Sequence, residues 1–164
     1  MKEKCYDEFE KPSWMLENLY LIFRVLPYEA SLIRAVKKEK KLYFWDWSTV
    51  ENTPARFENM VACHLLKYCH FIEDTEGYEM ELRFLRDTDL REIDFLVLKG
   101  RKPLFAVECK TGEKALSSRI QYFQTRLKIP EVYQVHTGIK EYGNAQQGGM
   151  VIPFEKFCRL KELV

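Results

Sequence analysis

Apolar positions along the chain change their spacing several times, and each change marks an element. Pro12-Ser13 opens a short stretch of helical character, and Leu19 to Leu26 is rich in β-branched and aromatic residues, a strand that Pro27 ends. From Pro54 the spacing becomes helical. Phe57, Val61, Leu65, Tyr68 and Cys69 fall within about 120° of arc, which predicts a helix from 54 to about 69 with that stripe facing a core. Period-2 alternation then takes over. In Arg91–Leu98 it puts Ile93, Phe95 and Val97 on one face and Asp94, Leu96 and Leu98 on the other. In Leu104–Lys110, Leu104, Ala106, Glu108 and Lys110 share a face, with Phe105, Val107 and Cys109 on its reverse. Lys99–Pro103 reads as the hairpin loop between the two. A second helix over 114–127, strands at Glu131–Val135 and Gly149–Pro153, and an amphipathic stretch from Phe154 to Leu163 complete the pattern. Strands interleaved with helices predict an α/β (mixed α+β) domain.

Composition narrows the picture. The chain has 164 residues, 46% of them hydrophobic and 31% charged, which suits one globular domain and excludes wholesale disorder. Its net charge of +1 argues against a chain built mainly as a polycation, but the charge is unevenly placed. Residues 57–94 carry 10 acids and 4 bases, and residues 99–140 carry 9 bases and 3 acids. An acidic and a basic surface side by side suit a metal site next to a phosphate-binding face, or two ordinary solvated faces. Met1-Lys2-Glu3-Lys4 leads into acids, so no secretion signal is expected, and no apolar run approaches the roughly 20 residues of a membrane span. Five scattered cysteines without a C-x-x-C pattern suit free thiols and a cytoplasmic location.

The chemistry gathers on the two period-2 segments. If their hairpin is symmetric about Arg101, Leu98 faces Leu104, Leu96 faces Ala106 and Asp94 faces Glu108, with Lys110 one step beyond. Opposed acids on an otherwise apolar face destabilise a sheet unless a cation joins them. Mg²⁺ is typically held by one or two carboxylates plus water, so Asp94 and Glu108 are candidate ligands of Mg²⁺ or Mn²⁺. Lys110 can then orient a water or stabilise charge growing on phosphate oxygens. Glu58 falls inside the helix's apolar stripe, where a carboxylate is costly unless paired or bound to a cation; the alternative is an edge Glu reaching solvent.

Other motifs carry less. Cys63, His64, Cys69 and His70 suggest zinc, but Cys63 and His70 lie two helical turns apart, about 10 Å, too far to share an ion. The basic run Arg34–Lys41 before Leu42-Tyr-Phe-Trp-Asp-Trp47 suits nucleic-acid contacts, or more simply a polar turn entering a buried aromatic strand. Gly143–Gly149 reads as a flexible turn. It lacks the Gly-Lys-Ser/Thr ending of a phosphate-binding loop, so no ATPase activity is expected from this chain.

A helix with Glu58, a strand with Asp94, and a strand with Glu108 and Lys110, followed by helix and strand, resembles the PD-(D/E)XK nuclease superfamily. The resemblance implies a restriction-endonuclease-like core, a mixed central sheet flanked by helices. It makes Asp94 and Glu108 the metal ligands, Lys110 the catalytic lysine and Glu58 an accessory carboxylate. Ile93 stands where the superfamily name has proline, and Gln121 lies where some members carry a helix glutamine. Across nearly the whole chain, Lys40–Asp46, Arg56–Leu66, Arg91–Val97 and Val107–Gly112 resemble the C-terminal domain of unknown function found on a family of prokaryotic AAA-type ATPases. That resemblance implies an N-terminal extension at 1–53, a winged-helix remnant, and a nuclease-like domain at 54–164, either truncated or cut from a longer ATPase.

Two functions follow. The first is a metal-dependent nuclease-like domain acting on DNA, with Glu58, Asp94, Glu108 and Lys110 at the site and Lys99, Arg101, Lys102, Lys114 and Gln121 contacting nucleic acid. The second is a catalytically silent nucleic-acid or partner-binding module of such an ATPase.

Overall fold

The computed structural model describes residues 14–29 and 40–163. Eight strands form one mixed sheet: β1 (Ile22–Pro27), β2 (Lys41–Phe44), β3 (Met80–Arg86), β4 (Glu92–Lys99), β5 (Lys102–Lys110), β6 (Glu131–His136), β7 (Tyr142–Asn144) and β8 (Gly149–Pro153). Their spatial order is β2-β1-β3-β4-β5-β6-β8-β7. The pairs β1–β3, β5–β6 and β6–β8 are parallel and the remainder antiparallel. Helices α1 (Thr53–Glu76), α2 (Ser118–Leu127) and α3 (Phe154–Leu160) flank the sheet. The mixed α/β class expected from the pattern is the one observed.

Two cores lie on the two faces. Phe57, Val61 and Leu65 of α1 and Phe157 of α3 pack with Phe84, Phe95, Val97, Phe105 and Val107. Ile120 and Phe123 of α2 pack with Leu85, Ile93, Leu96, Leu98 and Ala106. At roughly 25 cal/mol per Å² of apolar surface removed from water, each buried Phe or Leu contributes about 2–3 kcal/mol, so both helices are held mainly by these stripes.

Helix α1 starts where expected. The Asn52 side chain accepts the Ala55 N–H, and Pro54 occupies the first turn, where its missing N–H costs nothing. It runs beyond residue 69 to Glu76, because nothing stops it before Gly77, whose φ of +73° suits the left-handed cap. Helix α2 is shorter than the expected 114–127. Fully buried Gln134 accepts the Ser117 N–H at 2.9 Å and donates to the Lys114 and Ala115 carbonyls at 2.9 and 3.1 Å, taking groups a helix would need.

The hairpin is tighter than the sequence implies. Lys99 pairs with Lys102 across a two-residue turn at Gly100 (φ +56°) and Arg101 (φ +65°), in place of a five-residue loop. Leu98 therefore faces Pro103, not Leu104. A register shift follows, and the expected Leu96–Ala106 pair is restored. The extra residue, Leu104, packs with the α1-side core, away from Ala106.

β3 is a strand the sequence reading leaves out, although Met80, Leu82 and Phe84 alternate on one face. A second shift between Arg83 and Leu85 sets Asp94 and Phe95 opposite the single residue Phe84. Ile93 is thereby moved to the α2 side, away from its expected partners Phe95 and Val97. Asp94 leaves the face it was expected to share with Leu96 and Leu98, which stay on the α2 side. β7 occupies the start of the expected flexible turn. Leu160 of the terminal stretch is exposed, while Cys158 is buried.

The residues set apart as an extension contribute two strands to this sheet, β1 pairing with β3 and β2 with β1. A helical turn occupies residues 14–18. Pro12-Ser13 and residues 34–39 of the basic run lie outside the described residues. β2 is not a buried aromatic strand: Tyr43 is buried, but Leu42 and Phe44 are exposed. Among the described residues, no helix is long and apolar enough to cross a membrane.

Candidate functional site

The site lies where β4 and β5 part. Their last backbone pair is Phe95–Val107, and Asp94 and Glu108 are the next residues on the two strands. There the ladder is replaced by a side chain: Asp94 Oδ2 accepts the Cys109 N–H at 2.8 Å. The bulge opposite Phe84 turns Asp94 toward β2 and α1, and its Oδ1 lies 3.5 Å from Lys41 Nζ.

Lys41 reaches three carboxylates. Its ammonium is 3.0 Å from Glu58 Oε1 and 2.5 Å from Glu92 Oε1, besides Asp94. Tyr43, two residues along the same strand face, donates its hydroxyl to Glu58 Oε1 at 2.7 Å. Arg86 Nε holds the other oxygen of Glu92 at 2.5 Å. Glu58 is therefore half-buried and paired; it does not reach out to solvent.

Glu108 is only 3% exposed. Lys110 Nζ meets its Oε1 at 2.5 Å, while Oε2 is buried with no hydrogen-bond partner among the described residues. A buried carboxylate oxygen left unpaired is costly, and it marks the place where a cation or a donor would be accepted.

The electrostatics follow from this crowding. Burial first, then the nearby Glu108 and Glu58 carboxylates, push the Asp94 carboxyl up to about 7, against the pull of Lys41 and the Cys109 N–H. Burial alone would lower the pKa of Lys41, but Asp94, Glu58 and Glu92 together raise it above the usual lysine range, so it stays an ammonium. Burial and then Glu58 push the Tyr43 phenol up, which keeps it a donor.

Among the described residues no group of three or more His, Cys, Asp or Glu is arranged to hold a metal ion. Two carboxylates, Asp94 and Glu108, with an unpaired buried oxygen on one of them, do suit Mg²⁺ or Mn²⁺, which complete their shells with water. Cys63, His64, Cys69 and His70 diverge around α1: Cys69 is in the core and His70 is exposed.

Glu58, Asp94, Glu108 and Lys110 are thus brought into one cluster. The other expected site residues are elsewhere. Lys99, Arg101 and Lys102 stand at the hairpin tip, about 17 Å along β4 from Asp94 at ~3.4 Å per residue. There Lys99 pairs with Glu76 and covers the Tyr78 ring, and Arg101 lies 3.6 Å from Glu79. Lys114 is exposed after β5, and Gln121 is exposed on α2. Lys41, Tyr43 and Glu92 escaped the sequence reading. Two signals were present: Lys41 and Tyr43 alternate on one face of a short strand, and Glu92 shares that spacing with Asp94.

The sequence model of a family described as Domain of unknown function (DUF4143) matches residues 55–157. The chain belongs to this family. The DUF4143 match takes in Glu58, Asp94, Glu108 and Lys110 and begins after β2, leaving Lys41 and Tyr43 outside it. No curated protein and no solved structure matches the chain.

Proposed function

We propose that this DUF4143 domain is a metal-dependent nuclease-like domain acting on DNA phosphodiesters, with the restriction-endonuclease-like core of the PD-(D/E)XK superfamily. One observation carries the reading: Glu108 lies next to Asp94 with Oε2 buried and without a partner among the described residues, and Oε1 held by Lys110. Two buried carboxylates crowded together give a purely structural domain only a penalty. Asp94 and Glu108 would hold Mg²⁺ or Mn²⁺, which when bound polarises a phosphoryl oxygen and lowers the pKa of its water. Lys110, anchored on Glu108, is the donor that meets charge developing on the phosphate. Lys114 and Gln121 would contact the DNA near the site, and Lys99, Arg101 and Lys102 would contact phosphates further along it. In this reading the domain works in the cytoplasm beside an ATPase domain or protein, and the free thiols of Cys63, Cys69, Cys109 and Cys158 suit that compartment.

The test is cleavage of single-stranded and flapped DNA with Mn²⁺. Lys110→Ala should slow it at least tenfold, a loss of about 1.4 kcal/mol or more of transition-state stabilisation, with little change in affinity. Cleavage that persists undiminished in both Lys110→Ala and Asp94→Asn would remove the nuclease reading. A second reading, a catalytically silent nucleic-acid or partner-binding module, is favoured by Lys41, whose charge already offsets part of the acidic cluster. DNA binding with a clear salt dependence and no cleavage at any Mn²⁺ concentration would select it.

A further inference from the structure

Lys41 is the feature of the site that the nuclease-like reading does not use. Lysines on edge strands usually keep the ammonium in water and bury only the stem. Here the ammonium points inward, and Glu58 Oε1, Glu92 Oε1 and Asp94 Oδ1 converge on it at 2.5 to 3.5 Å. Carboxylate oxygens are also the donors that a hard cation takes, although these three are not placed as a ready metal group around the lysine. In this chain a tethered ammonium holds them.

The arrangement is built rather than incidental. Pairing of Lys41 with Val25 fixes the strand that carries it, and Asn59 of α1 ties the end of that strand through Phe44. Tyr43 donates to the same oxygen of Glu58 that Lys41 uses, so Glu58 is held from two sides. Among the described residues, the buried carboxylate oxygen of the cluster left without a hydrogen-bond partner is Glu108 Oε2. Charge agrees with this division. Among the described residues, Glu58, Glu92, Asp94 and Glu108 stand with Lys41, Lys110 and Arg86, so with every carboxyl ionised these acids outnumber these bases by one. One divalent ion reverses that small excess. A second would overcharge a largely buried site.

We propose that Lys41 is a built-in substitute for a second divalent cation: it holds Glu58, Glu92 and the Oδ1 side of Asp94, so that the protein takes a single divalent ion, between Asp94 and Glu108. The inference rests on the nuclease-like reading of the Asp94–Glu108 pair. It makes Glu58 a positioning residue that fixes Lys41, not a ligand of the ion.

The experiment counts Mn²⁺ ions on the full chain by calorimetric titration and by the electron paramagnetic resonance of free Mn²⁺. Wild type and Lys41→Arg should bind one ion. Lys41→Met should bind two, and the second should disappear in Lys41→Met combined with Glu58→Gln. Glu58→Gln alone, which still leaves Lys41 its Glu92 and Asp94 partners and serves if Lys41→Met does not fold, should hold its single ion with affinity within about threefold of wild type. The proposal is overturned if Lys41→Met binds one ion with unchanged affinity. It is equally overturned if Glu58→Gln weakens the first ion tenfold or more, because Glu58 would then touch it. Both results leave the Asp94–Glu108 site standing. No Mn²⁺ on wild type or on any variant would instead bring down the metal reading of that pair, and this proposal with it.

Discussion

Asp94 Oδ2 accepts the backbone N–H of Cys109 at 2.8 Å, one step past the last β4–β5 pair. A carboxylate does there what a strand carbonyl does elsewhere in the ladder. The bond lets the strands part without stranding a buried N–H, and it points the remaining Asp94 oxygen at Lys41.

Asp94→Asn and Asp94→Ala should therefore behave differently. Asparagine keeps an acceptor for Cys109 and removes a charge crowded by Glu108 and Glu58, so the metal-free protein should be as stable as wild type or more so. Alanine leaves the N–H unpaired and should cost about 1–3 kcal/mol. Mn²⁺ should raise the melting temperature of wild type and of neither variant, by mass action on the folded state. Equal Mn²⁺ stabilisation of Asp94→Asn and wild type would remove Asp94 from the site.

The pH dependence carries a definite sign. Unfolded, Asp94 titrates near the ordinary value of about 4; folded, burial and its acidic neighbours push it up to about 7. A raised folded pKa contributes stability that is fully present below about pH 4 and is lost as pH rises through about 7. Metal-free wild type should thus lose melting temperature, relative to Asp94→Asn, between pH 5 and 8. The gain from Mn²⁺ should grow over the same window as the proton leaves. Parallel melting curves for the two proteins across that range would refute the assignment.

Asn59 tests the closure of the β2 edge. The Phe44 N–H donates to Asn59 Oδ1 at 2.9 Å, and Asn59 Nδ2 donates to the Phe44 carbonyl at 2.7 Å. Asn59→Ala should lower the urea midpoint at unchanged m-value, by about 1–2 kcal/mol. Sedimentation should also reveal self-association, because an uncovered edge strand pairs readily. Unchanged stability would mean that water replaces both bonds.

Arg101 sits at φ +65° in the hairpin turn, a region that costs a side chain about 1 kcal/mol and glycine almost nothing. Its ion pair with Glu79 is long and exposed, worth little. Arg101→Gly should leave stability unchanged or raise it by up to about 1 kcal/mol in chemical denaturation. A clear loss would show that the Arg101 side chain contributes more than the strain it brings.

Local rules carried the sequence a long way. Helical spacing placed Glu58 on the inner arc of α1, and a short hairpin between two alternating strands brought Asp94 near Glu108 and Lys110. Each of these depends on residues close in the chain, where the geometry of a helix or a paired strand leaves few choices. Even there a bulge could not be read. The extra residues at Leu104 and at Asp94–Phe95 are set by what β3 and the turn demand of their partners, and they moved Leu104 and Ile93 to unexpected faces. Lys41 was beyond local reasoning altogether. In sequence it closes a basic run that suits a solvated turn. Only the parallel pairing of β1 with β3, between segments more than fifty residues apart, brings β2 over the carboxylates of α1 and β4. Sheet order is decided by the burial of both faces at once, and that is a property of the folded chain as a whole.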